Sequence, residues 1–289
     1  MKKNIIFVVN PISGDLDKSD LIDAVNEFSM THGSNLIVYE TTGEQDIKAI
    51  HSLYKEYEPE RIIVAGGDGT IKMVAEAMEQ HDVIIGILPA GSANGLSVDL
   101  NLPNTIEENL KIAFLNSYIE MDMICINGKK SIHLSDIGIN ADLVKNYEES
   151  NLRGFWGYAL QAYTTLVDSN EPFEATITAN KETIKHTARM IVIANSQKYG
   201  TGVTINPNGV VNDGKFELVI LKSLDLFLLG KIITGNMPID SDDIIIISTD
   251  KADIKTDYPV NFQIDGEYCG AQSSLEIHIL HKQMKIAVP

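Results

Sequence analysis

Cysteine is scarce: Cys125 and Cys269 are the two in 289 residues. They form no CxxC pair and no zinc-type spacing, so neither a disulfide framework nor a structural zinc site is expected, and a reducing cytoplasm fits. Long apolar runs are also missing. No window approaches the ~20 apolar residues of a spanning helix; the longest candidates, 224–229 and 244–247, have the length of core elements. The opening MKKNIIFVVN has an apolar run too short for the centre of a signal peptide and reads as a strand. The expected location is the cytoplasm, at most peripheral at a membrane. Positive charge is in short supply too, with 23 Lys and Arg against 40 Asp and Glu and a formal net charge of -17. That surface repels nucleic acid, so no nucleic-acid partner is expected. It also repels an anionic bilayer, so docking on lipid needs a local apolar patch or a basic rim, for which Lys145, Arg153, Lys222 and Lys231 are candidates. His278 and His281 lie close together, but no other ligand types accompany them.

What is present is a strongly patterned first half. Apolar strand runs at 4–9, 35–40, 61–65 and 83–88 alternate with helical spacing at 19–31, 44–57 and 71–80. This rhythm predicts an α/β domain with a parallel sheet and helices on both faces. After about residue 121 strand runs dominate: 121–126, 131–134, 173–179, 183–194, 215–221, 243–248, 252–256, 260–265 and 274–280. Turn pairs such as Asn127-Gly128 and Asp213-Gly214 separate them, which predicts a mostly antiparallel β-rich second domain. Helices are expected at 154–167 and 224–235. The expected boundaries are 1–121 for the first domain, completed by a returning strand within 282–289, and 122–281 for the second. An edge strand of the second domain could pair subunits as a homodimer.

Three small-residue loops follow strands in the first half. They are Asn10-Pro11-Ile12-Ser13-Gly14, Gly66-Gly67-Asp68-Gly69-Thr70 and Pro89-Ala90-Gly91-Ser92-Ala93-Asn94-Gly95. Ligands of parallel sheets bind beyond the carboxyl ends of the strands. Three such loops on one edge make a bed of backbone N–H groups suited to a polyphosphate. Glycine lets the backbone approach phosphate closely. A carboxylate such as Asp68 beside phosphate needs a cation such as Mg²⁺. Taken alone, the second loop also fits a tight strand-to-helix turn with a capping aspartate.

Together these segments resemble the diacylglycerol kinase catalytic family. Asn10–Gly14 looks like its NPxSG motif, Gly66–Thr70 is identical to its GGDGT, Leu88–Asn94 (LPAGSAN) resembles its PxGTxN, and Ile264-Asp265-Gly266-Glu267 resembles its late D-G-E element. GGDGT alone also occurs in NAD kinases and phosphofructokinases; four motifs in the family's order are specific. The resemblance implies a fold like that of NAD kinase and diacylglycerol kinase, and ATP-dependent phosphorylation of a lipid hydroxyl at the membrane surface, with ATP and Mg²⁺ as cofactors. It implies nucleotide contacts from Asn10, Pro11, Ser13, Gly14, Thr41 (Thr42 being its neighbour and rival), Gly66, Gly67, Asp68, Gly69, Thr70, Gly91, Ser92 and Asn94. It implies a general base in Glu267, coupled to Asp265, with Asp68 organising magnesium and phosphates. Asp122 and Asp142 match acidic positions near the acceptor, and Asp213, with the carbonyls of Val210 and Lys215, matches a structural magnesium loop.

Some positions depart from the pattern. Lys72 and Met73 stand where bacterial members usually have Asn and Glu, and Gly95 where many have Asp. The third loop and Asp142 look closer to sphingosine kinases, so the acceptor could be diacylglycerol, a sphingoid base or a related lipid alcohol. Two other readings stay open: a kinase of a soluble nucleotide, like NAD kinase, and a nucleotide-binding regulator without turnover. The near-Walker segment from Gly209 to Lys215 continues into Phe216 and a strand, which excludes a P-loop. The aromatic and leucine-rich stretches at 155–166 and 226–232 suit either a core or an acyl site.

Overall fold

The computed structural model describes residues 3–14, 17–92, 94–139, 141–142, 171–198, 204–223 and 242–289. The helices expected at 154–167 and 224–235, the two apolar stretches within them, and Lys145, Arg153 and Lys231 lie outside the described residues. The chain forms two compact units. The first is built from Met1–Asp122 and Lys282–Pro289, the second from Met123–Tyr199 and Val203–His281.

In the first unit β1 (Asn4–Val9), β2 (Asn35–Glu40), β3 (Arg61–Gly66) and β4 (Ile84–Pro89) alternate with α1 (Ser19–Thr31), α2 (Asp46–Tyr57) and α3 (Asp68–Ala77). The strand order is β2-β1-β3-β4, all parallel. The end of a long final strand, β14 (Glu267–Ala287), adds in parallel beside β4 through Lys285 and Ile286. β3 is buried at every position, as a central parallel strand covered on both faces must be. On one face Phe7, Val9, Ile63 and Leu88 pack with Val25 of α1 and with Leu110, Ala113 and Phe114.

Those last three belong to α5 (Ile106–Leu115), which follows the short α4 (Gly95–Asp99) and which the alternation pattern does not reveal. A local signal for α5 exists. Thr105 accepts the Glu108 N–H and donates its hydroxyl to the Glu108 carboxylate, an N-cap on the T-x-x-E sequence pattern. Arg61 is buried and donates to the carbonyls of Ala113 and Asn116, closing the other end of α5.

The second unit is antiparallel, in the order β12-β11-β10-β7-β13-β14. These are β7 (Leu134–Gly138), β10 (Met190–Ala194), β11 (Phe216–Leu221), β12 (Ile244–Thr249) and β13 (Lys251–Ile264), with β14 last. β8 (Phe173–Ala179) pairs with β13 and with β9 (Glu182–Ala188). β5 (Tyr118–Ile126) pairs with β6 (Lys129–Ser131). Alternating residues such as Phe173, Ala175, Ile177, Ile254, Leu275 and Ile277 form its core.

Four strand expectations are corrected. The run at 131–134 breaks at Ile132 and His133, because their N–H groups donate to the Asp265 carboxylate instead of to a neighbouring strand. The runs at 252–256 and 260–265 are one strand, with a register shift between Lys255 and Val260 that accommodates Pro259, which has no N–H to give. The run at 274–280 and the returning strand expected within 282–289 are one strand, β14, which ends at Ala287. The run at 183–194 is in turn two strands, divided at Arg189.

Candidate nucleotide-binding site

The carboxyl ends of β1, β3 and β4 carry the three glycine-bearing loops, and hydrogen bonds knit them together. The Asn10 N–H donates to the Ala65 carbonyl at 2.9 Å, and its side-chain amide reaches the Thr70 hydroxyl at 3.2 Å. The Ser13 hydroxyl lies 3.1 Å from the Ala90 carbonyl. The Ala90 N–H donates to the Gly66 carbonyl at 3.1 Å. Gly14 has φ +62°, and a Cβ there would stand 3.1 Å from the Ala90 oxygen. Gly66 leaves no room either, since a Cβ would come within 2.5 Å of the Thr70 Oγ1. Glycine at 14 thus lets the first loop close on the third, and glycine at 66 lets the second loop fold tightly over its own Thr70.

Helix α3 begins at Asp68, three residues before the start that apolar spacing suggests, so Asp68, Gly69 and Thr70 form its first turn. No side chain caps it, and first-turn N–H groups have no partner within their own helix. Asp68 turns instead to α4: its two oxygens accept the N–H groups of Gly95 at 2.8 Å and Leu96 at 3.1 Å. The aspartate of the second loop therefore caps the helix leaving the third. Asn94 closes that loop by accepting the Gly91 N–H and donating to the Gly91 carbonyl, both at 3.0 Å. Ser92 and Pro11 are exposed beside this knot.

A fourth segment joins from β2. The Thr41 N–H donates to the Val9 carbonyl at 2.9 Å. The Asp46 carboxylate collects the Thr42 and Gly43 N–H groups, the Thr42 hydroxyl and the Tyr39 hydroxyl. Burial pushes the Asp46 carboxyl up, but these donors together outweigh it and hold it below the ordinary range. Burial, and then the Asp46 bond and charge, push the Tyr39 phenol up to about 12. The Thr42 hydroxyl is spent on this network, which leaves Thr41 as the threonine with a side chain to offer.

Sequence reasoning missed Asp46, and it missed Lys18. The ammonium of Lys18 is buried and donates to the Ala90 carbonyl at 2.8 Å. Nothing in Asp17-Lys18-Ser19-Asp20 sets this lysine apart from a solvated one.

The remaining expected residues lie elsewhere. In the second unit Asp265 (φ +49°) and Gly266 (φ +87°) form the two-residue turn between β13 and β14, with Ile264 facing Glu267. Asp265 accepts the Ser131 hydroxyl and the His133 N–H through one oxygen and the Ile132 N–H through the other. Glu267 is exposed, and its carboxylate has no hydrogen-bond partner among the described residues. Asp142 is bonded by the Asn261 amide, whose oxygen accepts the Tyr268 hydroxyl at 2.6 Å. Asn261 and Tyr268 had no sequence signal. Asp213 accepts the Lys215 N–H at 3.0 Å within its own turn, beside an exposed Val210. Among the described residues no three His, Cys, Asp or Glu gather as a metal site. A magnesium ion at Asp213 would have to draw the rest of its oxygen shell from carbonyls and water, a donor set that suits a hard cation. Asp122, in the first unit, is fully buried and accepts the Lys282 N–H at 2.7 Å.

Known proteins resemble this chain over most of its length. Residues 4–126 match the diacylglycerol kinase catalytic domain, and residues 136–288 match the YegS C-terminal NAD kinase beta sandwich-like domain. The chain belongs to the family of the YegS C-terminal NAD kinase beta sandwich-like domain, and a diacylglycerol kinase catalytic domain precedes that part. It is a phosphotransferase. Proteins named probable lipid kinase YegS, from Escherichia coli (strain SMS-3-5 / SECEC) and Shigella boydii serotype 18, are each 27% identical over 234 residues, covering 79% of this chain and 78% of theirs. A crystal structure described as a diacylglycerol kinase from Bacillus anthracis superposes with a TM-score of 0.79 over 99% of this chain and 97% of that one, at 19% identity. That likeness speaks for the fold. No helix among the described residues is long and apolar enough to cross a membrane.

Proposed function

We propose that the protein transfers the terminal phosphoryl group of ATP to a hydroxyl of a lipid. The observation that carries this reading is the closed knot of loops in the first unit, where Asn10, Ser13, Gly66, Thr70 and Ala90 bond one another around two small-residue turns. Phosphoryl transfer asks a protein chiefly for positioning and for neutralised charge. The uncapped first turn of α3 and the turns at Gly14 and Gly91 offer backbone N–H groups to a triphosphate. Asp68 fixes the loops through α4, and its carboxylate is the proposed ligand of a magnesium ion bound with the phosphates. When bound, that ion supplies charge neutralisation on the transferred group. Thr41 borders the same edge of the sheet and is suited to the nucleoside end.

The proposed acceptor is diacylglycerol, a sphingoid base or a related lipid alcohol, met at a membrane surface. Glu267 is the proposed general base, because its carboxylate is exposed and uncommitted. Asp265 holds the turn that presents it. Asp142, with Asn261 and Tyr268, is the proposed headgroup contact, and Asp213 the proposed magnesium ligand.

Incubation with labelled ATP, Mg²⁺ and a panel of diacylglycerol, sphingoid base, ceramide, undecaprenol and NAD tests the reading. Labelled lipid is expected. Labelled NADP would replace it with a soluble-nucleotide kinase. MgATP binding with no product from any acceptor would leave a regulator without turnover, the reading for which Lys72, Met73 and Gly95 are the support.

A further inference from the structure

Lys18 is an unusual residue for a protein of this charge. Its side chain is buried to 6% exposure at the entry to α1, in a molecule with a formal net charge of -17. An ammonium has three protons to donate. Among the described residues one acceptor meets it, the Ala90 carbonyl at 2.8 Å, and no carboxylate forms an ion pair with it. The neighbouring Asp17 is exposed and turns its carboxylate to the Ser19 N–H. Burying a charge without a counter-charge is costly. Burial accordingly favours the neutral amine and lowers the Lys18 pKa.

Its position adds to that cost. Lys18 is the N-cap residue of the 13-residue helix α1, and its own side chain does not cap that helix. A cation at the positive end of a helix is unfavourable. The carbonyl it grips belongs to the third loop, and the same oxygen is shared with the Ser13 hydroxyl of the first. The tether between the loops would therefore survive without the lysine. What the ammonium adds to the knot is charge.

We propose that Lys18 is the buried cation of the phosphate cradle, a positioning residue whose charge is compensated when a polyphosphate seats on the loops. This rests on the nucleotide reading above and deepens it by assigning a ligand-side charge to a residue outside the four family motifs. The free protein carries the cost of an uncompensated buried cation, and the bound protein does not. Removal of the charge then has opposite effects on the two states. Methionine conserves the length of the side chain and its apolar stem. Lys18→Met is expected to raise the melting temperature of the free protein by a few degrees, since replacing an unpaired buried charge by a packed apolar group is stabilising. The same change is expected to weaken binding of the polyphosphate by about thirtyfold or more. Lys18→Arg, which keeps the charge, is expected to retain most of the affinity. Ser13→Ala removes the other donor to the Ala90 carbonyl without altering charge, so its loss of affinity sets the scale for a tether alone, and Lys18→Met is expected to exceed it about tenfold.

The experiment is calorimetric titration of the four full-length proteins with MgATP and, separately, with inorganic tripolyphosphate, beside their melting curves without ligand. Greater stability of the free Lys18→Met protein together with the affinity loss supports the proposal. An affinity within threefold of wild type overturns it. So does a lower melting temperature with losses matching those of Ser13→Ala, which would make Lys18 a tether only. The tripolyphosphate arm separates the two levels. Wild-type binding of tripolyphosphate that depends on Lys18, without binding of MgATP, keeps the anion site and removes the nucleotide reading. Binding of neither ligand removes both.

Discussion

Asp265 and Glu267 are separated by one residue, yet the turn between β13 and β14 gives their carboxylates different work. Substitution of each by its amide should expose the difference. Asp265 accepts three hydrogen bonds, from the Ser131 hydroxyl at 2.8 Å, the His133 N–H at 3.0 Å and the Ile132 N–H at 3.1 Å. Asparagine tolerates the left-handed backbone that Asp265 adopts, so Asp265→Asn tests the carboxylate and not the turn. The amide has one oxygen for these donors and turns its own NH₂ towards another. Bonds to a charged group contribute about 1.5–3 kcal/mol each, and the site is half-buried. A loss of about 2–3 kcal/mol follows, which lowers the melting temperature by about 5 °C or more. Glu267→Gln should leave the melting temperature unchanged, because an exposed side chain with no described partner contributes within about 0.5 kcal/mol. Its lipid-kinase turnover should fall about 10²–10⁴-fold, the range for loss of a general base. Paired melting curves and labelled-ATP turnover, measured well below both transitions, provide the assay. Retention of more than about a tenth of the activity by Glu267→Gln would remove it as base. Equal destabilisation by the two changes would refute the division of labour on the hairpin.

Three further outcomes follow from the first unit. Asp68→Asn weakens the cap on α4 and should cost about 1 kcal/mol of stability, as cap substitutions do, while abolishing labelled-lipid formation; full turnover would remove Asp68 from the phosphate site. Gly66→Ala should destabilise by about 1–3 kcal/mol, because the new methyl would meet the Thr70 side chain, and should weaken MgATP binding in calorimetry. Asp46 has a lowered carboxyl in the folded protein, so it contributes stability that is present above the unfolded carboxylate range near pH 4 and is lost as pH falls through its folded value. Asp46→Asn should therefore lower the melting temperature at pH 7 and flatten its decline as pH falls below about 4; an unaltered acid limb would show that the Thr42–Gly43 turn does not depend on that charge.

The architecture was legible because its signals are local and repeated. Most strands of the parallel sheet are β-branched runs ended by turn-forming residues, as Ile62–Ala65 is by Gly66-Gly67 and Ile5–Val9 by Asn10-Pro11, and the helices between 19 and 80 show their own period. α5 escaped because its spacing does not stand out against its surroundings, although Thr105 and Glu108 mark its start. The strand at 131–134 was misjudged for a non-local reason. The aspartate that claims its N–H groups is more than 130 positions away along the chain. The same limit governs the site. Glycines mark where backbone must approach backbone, so the loops could be read directly. The partners of Asp68, which lie on α4, and the burial of Lys18 under the Ala90 carbonyl depend on how loops from distant strands meet, and no spacing along the chain encodes that meeting.

Amide hydrogen exchange with and without MgATP tests the central claim most directly. Slower exchange in the presence of nucleotide is predicted in the peptides spanning 10–14, 66–70 and 89–95, with none in the β8–β9 turn at Asn180 and Lys181. Unchanged exchange across all three loops at saturating MgATP, or protection confined to other segments, would contradict it.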